Sequence, residues 1–151
     1  MPRDVLAAEW YDITVCAEYV WICTGAFWYQ VEATISLADA QWSTYDMIVF
    51  VGGGWALQQY QGHPDYLRLA QEAKLLWAIC IAPSLVSDAG VMKGKQCTGR
   101  DDEDGTWQAY IEHNDGIYLD RPVVVHWSIV TANGPEAAEA FWWELVYLLR
   151  K

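Results

Sequence analysis

The sequence predicts a single α/β domain with a mostly parallel sheet, and three observations carry that prediction. β-rich runs alternate with segments of helical character along the whole chain, the order of a sheet with crossover helices. Two runs, residues 47–51 (MIVFV) and 75–79 (LLWAI), are continuously apolar, as strands covered on both faces are. Finally, 151 residues with 54% hydrophobic and 19% charged side chains suit one well-buried core and exclude intrinsic disorder.

The elements follow in order. Residues 2–9 have a helical start with Pro2 in the first turn. Residues 13–17 (ITVCA) form a short β run, and the alternation over residues 25–35 suits a hairpin or edge strands. The strand at 47–51 runs directly into Gly52, Gly53 and Gly54. Residues 64–73 read as a helix capped near His63. The strand at 75–79 ends at Cys80, and residues 83–89 form a helix stopped by Gly90. A short strand is expected at 95–98. Residues 100–105 (RDDEDG) form an acidic loop without the spacing of a calcium site. Two β runs lie within residues 123–131, around His126 and Trp127, and an amphipathic helix over 135–149 closes the chain.

Charge excludes several classes of function. Nine basic and 20 acidic residues leave a net charge of −11, whereas nucleic acid and anionic membranes select clustered Lys and Arg. No apolar run reaches the ~20 residues of a membrane helix. The N-terminus lacks the pattern of a signal peptide. The four cysteines form no CxxC pair and lie far in sequence from the three histidines, so zinc-ligand spacing is absent. Reduced thiols and a cytoplasmic location are the expectation, because a chain this long and apolar needs no disulfide staples.

The chemistry concentrates in residues 75–85 (LLWAICIAPSL). A buried strand ends at Cys80, and small residues with Pro83 start a helix at once. Such a nucleophile elbow presents a side chain at the carboxyl end of the sheet, beside the free N–H groups of a helix start. A buried structural cysteine is the competing reading, and composition does not separate the two.

Four segments together carry a family resemblance. Residues 45–53 (YDMIVFVGG), 78–83 (AICIAP), 89–95 (AGVMKGK) and 129–135 (IVTANGP) match, in order and spacing, the DJ-1/PfpI superfamily. The resemblance implies a flavodoxin-like, three-layer fold of the class I glutamine-amidotransferase type and a nucleophilic or oxidisable Cys80. It also implies an oxyanion site built from the backbone N–H groups of Gly52 or Gly53 and of Ile81. It implies no metal or organic cofactor, and a homodimer. Members include glyoxalase- or deglycase-like enzymes, peptidases, chaperones and redox-responsive proteins. Peptidase-like members carry His directly after the cysteine; Ile81 stands here, which disfavours peptidase activity.

The family's first strand, and the glutamate at its end that bonds the cysteine, precede the matched segments. Residues 13–18 (ITVCAE) repeat the strand-then-glutamate pattern. If they fill the central slot, Glu18 shares a proton with Cys80; otherwise Glu18 is a solvated loop carboxylate. Two functions follow from the resemblance. One is a cysteine-dependent enzyme acting on small reactive carbonyl compounds through Cys80. The other is a non-catalytic stress-response, chaperone-like or redox-sensing dimer.

Tryptophan is the compositional anomaly, with 10 residues against 3 Phe. Trp10, Trp28, Trp55 and Trp127 stand in contexts that favour glycine for its left-handed backbone. Trp55, near the Gly52–Gly53 loop, is positioned to block or line the Cys80 pocket. Clustered aromatics would instead signal ligand stacking or an interface. His63 is expected to cap a helix, His113 to be solvated in a loop, and His126 to be a tolerated change in a turn.

Overall fold

The computed structural model describes residues 6–25 and 28–150. They divide into two compact units, up to Gln41 and from Trp42 onward.

In the first unit a helical turn over residues 6–8 precedes four short strands. These are β1 (Cys16–Ala17), β2 (Ile22–Thr24), β3 (Gln30–Glu32) and β4 (Ile35–Ser36). β2 and β3 form the expected hairpin, pairing antiparallel, while β1 pairs parallel with β4. Most of the expected helix over residues 2–9 lies outside the described residues, as do Ala26 and Phe27 within the hairpin loop.

The second unit begins with β5 (Ile48–Val51), α1 (Gly54–Tyr60), α2 (Pro64–Glu72) and β6 (Leu76–Ile79). It continues through α3 (Ala82–Ser87), β7 (Gln96–Cys97), α4 (Thr106–His113) and β8 (Ile117–Tyr118). The hairpin of β9 (Val123–His126) and β10 (Ile129–Ala132) follows. A 3-10 turn (Pro135–Ala137) then leads into α5 (Ala138–Leu149). Four strands form its main sheet in the order β5-β6-β10-β9, with only the β9–β10 pair antiparallel. The mostly parallel sheet is therefore present.

Register shows why β6 reads as an unbroken apolar run. Phe50 of β5 is paired with Ala78, so both side chains share one face of the sheet, while Trp77 points to the other. Phe50 meets Tyr66 of α2 edge-on at 4.8 Å, and Trp77 meets Phe141 of α5 at 5.1 Å. One helix thus covers each face, giving the three-layer arrangement, and all four β6 residues are buried. Continuous hydrophobicity is what two covered faces demand.

Two readings need correction. Residues 13–17 do not supply a central strand: only Cys16–Ala17 are extended, they pair with β4, and β5 pairs directly with β6. Among the described residues β5 is an edge strand of the main sheet. Residues 106–113 form a helix, so His113, expected in a solvated loop, is instead the exposed last residue of α4. Its weak amphipathic signal had only Ile111 as a buried anchor.

The tryptophan contexts divide. Trp10, Trp28 and Trp127 have φ of 65°, 61° and 56°, in the left-handed region. Trp10 follows the helical turn at 6–8, where its N–H donates to Ala7 O and that of Tyr11 to Leu6 O, the pattern of a glycine C-cap. Trp127 occupies the first central position of the two-residue β9–β10 turn. All three side chains are exposed. Trp55 is the exception, since it lies in the first turn of α1.

Two outcomes follow. Left-handed backbone costs a bulky residue roughly 1–2 kcal/mol, while glycine's unfolded-state entropy returns part of that. Trp127→Gly should therefore raise unfolding free energy by about 1 kcal/mol in urea titration; a variant no more stable than the parent would contradict strain at this turn. The second concerns Cys97, fully buried, whose thiol is pushed by burial from 9.0 to about 11. A raised folded-state value favours the fold below pH 9, and that contribution is lost as pH climbs from 9 through about 11. Between pH 8 and 10.5 the parent should lose on the order of 1–2 kcal/mol more than Cys97→Ala; parallel pH profiles would refute this.

Candidate active site at the Cys80 elbow

Cys80 lies between β6 and α3 with φ of 66°, a left-handed conformation for a non-glycine residue. Such strain persists only when the surroundings over-determine it, and here they do. The Cys80 N–H donates to Ala132 O at the end of β10 (2.9 Å), extending the β6–β10 ladder by one bond. The Cys80 carbonyl accepts from Arg100 N (2.8 Å). The residue is thereby clamped between two strand ends, with its side chain half-buried rather than sealed in the core.

The segment making the second clamp is itself anchored. Thr98 N donates to the buried Thr131 hydroxyl at 2.8 Å, which ties β7 to β10. Gly99 passes Pro83 of the elbow helix so closely that a Cβ would lie 3.2 Å from the proline ring. The far end of α3 is held too: Asn114 donates to Ser87 Oγ (2.8 Å) and Asp88 Oδ1 (3.1 Å), and Tyr110 donates to Asp88 Oδ1 (2.7 Å).

Gly52 has a steric role at the elbow. A Cβ there would stand 2.7 Å from both Ile81 N and Ala82 N and 2.8 Å from Ile79 O. Only glycine lets the end of β5 cross over the start of α3. Its own N–H donates to Ile79 O at 3.1 Å, so this amide serves the β5–β6 ladder. That corrects the expectation of Gly52 as an oxyanion donor. Gly53 is extended and caps α1, with open space where a Cβ would be. Ile81 is buried and precedes the first residue of α3, whose earliest N–H groups have no intrahelical partner. Trp55 is 73% exposed, which argues against the blocking role its sequence position suggests.

Cys80, Ile81, Gly52 and Gly53 are thus assembled within the second unit, whereas Glu18 belongs to the first. There the neighbouring Glu18 carboxylate pushes the Tyr19 hydroxyl's pKa up. His63 Nδ1 accepts from Asp65 N at 3.2 Å and caps α2, as expected. His126 Nδ1 accepts from Gln96 N at 3.2 Å, fastening β7 to the hairpin. Among the described residues no group of three or more His, Cys, Asp or Glu could hold a metal ion. None of their helices is long and apolar enough to cross a membrane.

One side chain at the site was not singled out from the sequence. The Arg100 guanidinium bonds Asp102 Oδ1 through Nε at 2.6 Å, while the residue's backbone N–H holds the Cys80 carbonyl. Its pKa is raised first by the Asp102 bond, with smaller contributions from the charge of and hydrogen bond to Cys80. In sequence Arg100 is one charge at the edge of RDDEDG, and only the clamp on the Cys80 carbonyl brings it to the thiol.

Comparison with known proteins places this geometry. An uncharacterised protein of Methanocaldococcus jannaschii is 27% identical over 154 residues, covering 99% of this chain and 74% of the relative. The deglycase PfpI of Pyrococcus furiosus is 26% identical over 158 residues, covering 99% and 89%. A two-domain protein of Anabaena variabilis with DJ-1/ThiJ/PfpI-like and ferritin-like domains superposes with a TM-score of 0.88 at 23% identity, over 98% of this chain and 43% of that one. The model of the DJ-1/PfpI family matches residues 1–148. With the elbow in place and the match running nearly end to end, the chain belongs to the DJ-1/PfpI family.

Proposed function

We propose that the protein is a cysteine-dependent enzyme acting on small reactive carbonyl compounds, of the glyoxalase or deglycase type, with Cys80 as nucleophile. The observation that carries this reading is the left-handed Cys80 backbone, clamped on both sides at the carboxyl end of a parallel sheet. The deglycase name of the Pyrococcus relative points the same way.

The chemistry is addition. The Cys80 thiolate attacks the carbonyl carbon, a C–S bond forms, and the π pair moves onto oxygen. N–H groups of Gly53 and Ile81 are suited to hold that oxyanion, which then takes a proton to give a hemithioacetal. No cofactor enters the reaction, and the reading of Glu18 as proton carrier lapses because residues 13–17 do not enter the main sheet. A homodimer belongs to the same proposal, supported by the family and the chain's apolar excess. The competing reading is a non-catalytic, redox-responsive member. It is favoured by the structural employment of His63 and His126, which leaves neither as a base for the thiol.

Two experiments test the site. Methylglyoxal consumption should be abolished in Cys80→Ser with the fold intact by circular dichroism; turnover unchanged in that variant, or absent from the parent, would reject the enzyme reading. Gly52→Ala forces its methyl against backbone atoms 2.7 Å away. It should cost about 1–3 kcal/mol of stability and slow iodoacetamide labelling of Cys80, followed by site-resolved mass spectrometry. Parental stability and labelling in Gly52→Ala would refute the close approach.

A further inference from the structure

Arg100 does more at the elbow than its backbone bond requires. Its guanidinium is held from one side: Nε donates to Asp102 Oδ1 at 2.6 Å, and Asp102 Oδ2 accepts from Trp107 Nε1 at 3.1 Å. The carboxylate is thus fixed by α4 and in turn fixes the plane of the guanidinium. The backbone bond from Arg100 N to Cys80 O, 2.8 Å long, places the arginine beside the cysteine, and the charge of Cys80 helps to raise the guanidinium's pKa. Four further N–H groups lie on the two terminal nitrogens of an arginine, in a fork that matches a carboxylate edge to edge.

The surroundings sharpen the point. The chain carries a net charge of −11, and Asp101, Glu103 and Asp104 flank this pair in sequence. Anions would otherwise be turned away, and a neutral aldehyde would need no cation beside the nucleophile. Trp107 and Asp102 hold one in that place.

We infer that Arg100 is a specificity residue that anchors a carboxylate on the substrate, so that the elbow favours carbonyl compounds bearing a carboxylate next to the reacting carbon, the 2-oxo acid class, over neutral aldehydes. This rests on Cys80 being the nucleophile of the proposed function. In the complex, the carboxylate lies on the terminal N–H groups of Arg100 and the adjacent carbonyl carbon faces Sγ. Addition then forms the C–S bond and sends the π pair to oxygen, which is protonated.

The test uses two alkylating probes of similar size, one anionic and one neutral. Iodoacetate and iodoacetamide are reacted with the full chain, and labelling of Cys80 alone is followed by mass spectrometry. The ratio of the two rates cancels the reactivity of the thiol itself and reads only the preference for a carboxylate. Arg100→Gln should lower the iodoacetate-to-iodoacetamide ratio about three- to five-fold, the range of an exposed ion pair. Arg100→Lys should restore part of it, and glyoxylate should protect Cys80 in the parent better than in Arg100→Gln. Arg100 is exposed, and an unchanged unfolding midpoint would show the variant folded. A ratio that does not move in Arg100→Gln overturns the inference. Lack of methylglyoxal turnover alongside a ratio that falls would reject the proposed enzyme and leave the carboxylate anchor standing.

Discussion

Everything at the functional end of this molecule depends on holding one residue in a backbone conformation it would not choose. Cys80 is left-handed, and left-handed cysteine is unfavourable in isolation. Its N–H and its carbonyl are each committed to a different strand end, β10 on one side and the segment after β7 on the other. Neither bond can be kept if the residue relaxes. The same two bonds turn the chain sharply enough for α3 to begin at Ala82, so the strain is inseparable from the strand-to-helix junction.

That junction needs room, and room explains several residue choices. Gly52 lets β5 end directly over the first amides of α3, and Gly99 lets the clamping segment slide past Pro83. Behind them the buried Trp77–Phe141 and Phe50–Tyr66 contacts keep the sheet and its two helix layers rigid. A strained turn mounted on loosely packed strands would relax; here β6, which carries the cysteine, and its neighbour β10 are buried along their whole length. The left-handed tryptophans are a different matter. Trp10, Trp28 and Trp127 stand in exposed turns, and their strain supports no local chemistry.

Electrostatics at the elbow are equally local. A strongly acidic chain places one guanidinium beside its proposed nucleophile and secures it through Asp102 and Trp107. The arrangement is short in sequence but is completed only where residues 97–100 meet the elbow. An arginine in an acidic loop ordinarily signals a solvated turn; the backbone bond to Cys80 changes its meaning.

The sequence by itself determined the alternation of elements, the buried strand β6, the elbow at Cys80 and the family, whereas β5, read as covered on both faces, is an edge strand among the described residues with Val51 exposed. Those features depend on local pattern: runs of apolar residues, glycines, prolines and a cysteine at fixed spacing. It also located the left-handed turns at Trp10, Trp28 and Trp127, because glycine-prone contexts are recognisable even when tryptophan occupies them, though not those at Glu103 and Asp115. Only the tertiary structure decided that residues 13–17 pair with β4 rather than entering the main sheet, and that residues 106–113 are helical. Strand partnership depends on register across distant segments, and a helix with one buried residue leaves almost no periodic trace. The spending of the Gly52 amide on Ile79 and the approach of Arg100 to Cys80 were likewise invisible in one dimension. Both are contacts between the ends of strands far apart in the chain, and no local pattern encodes them.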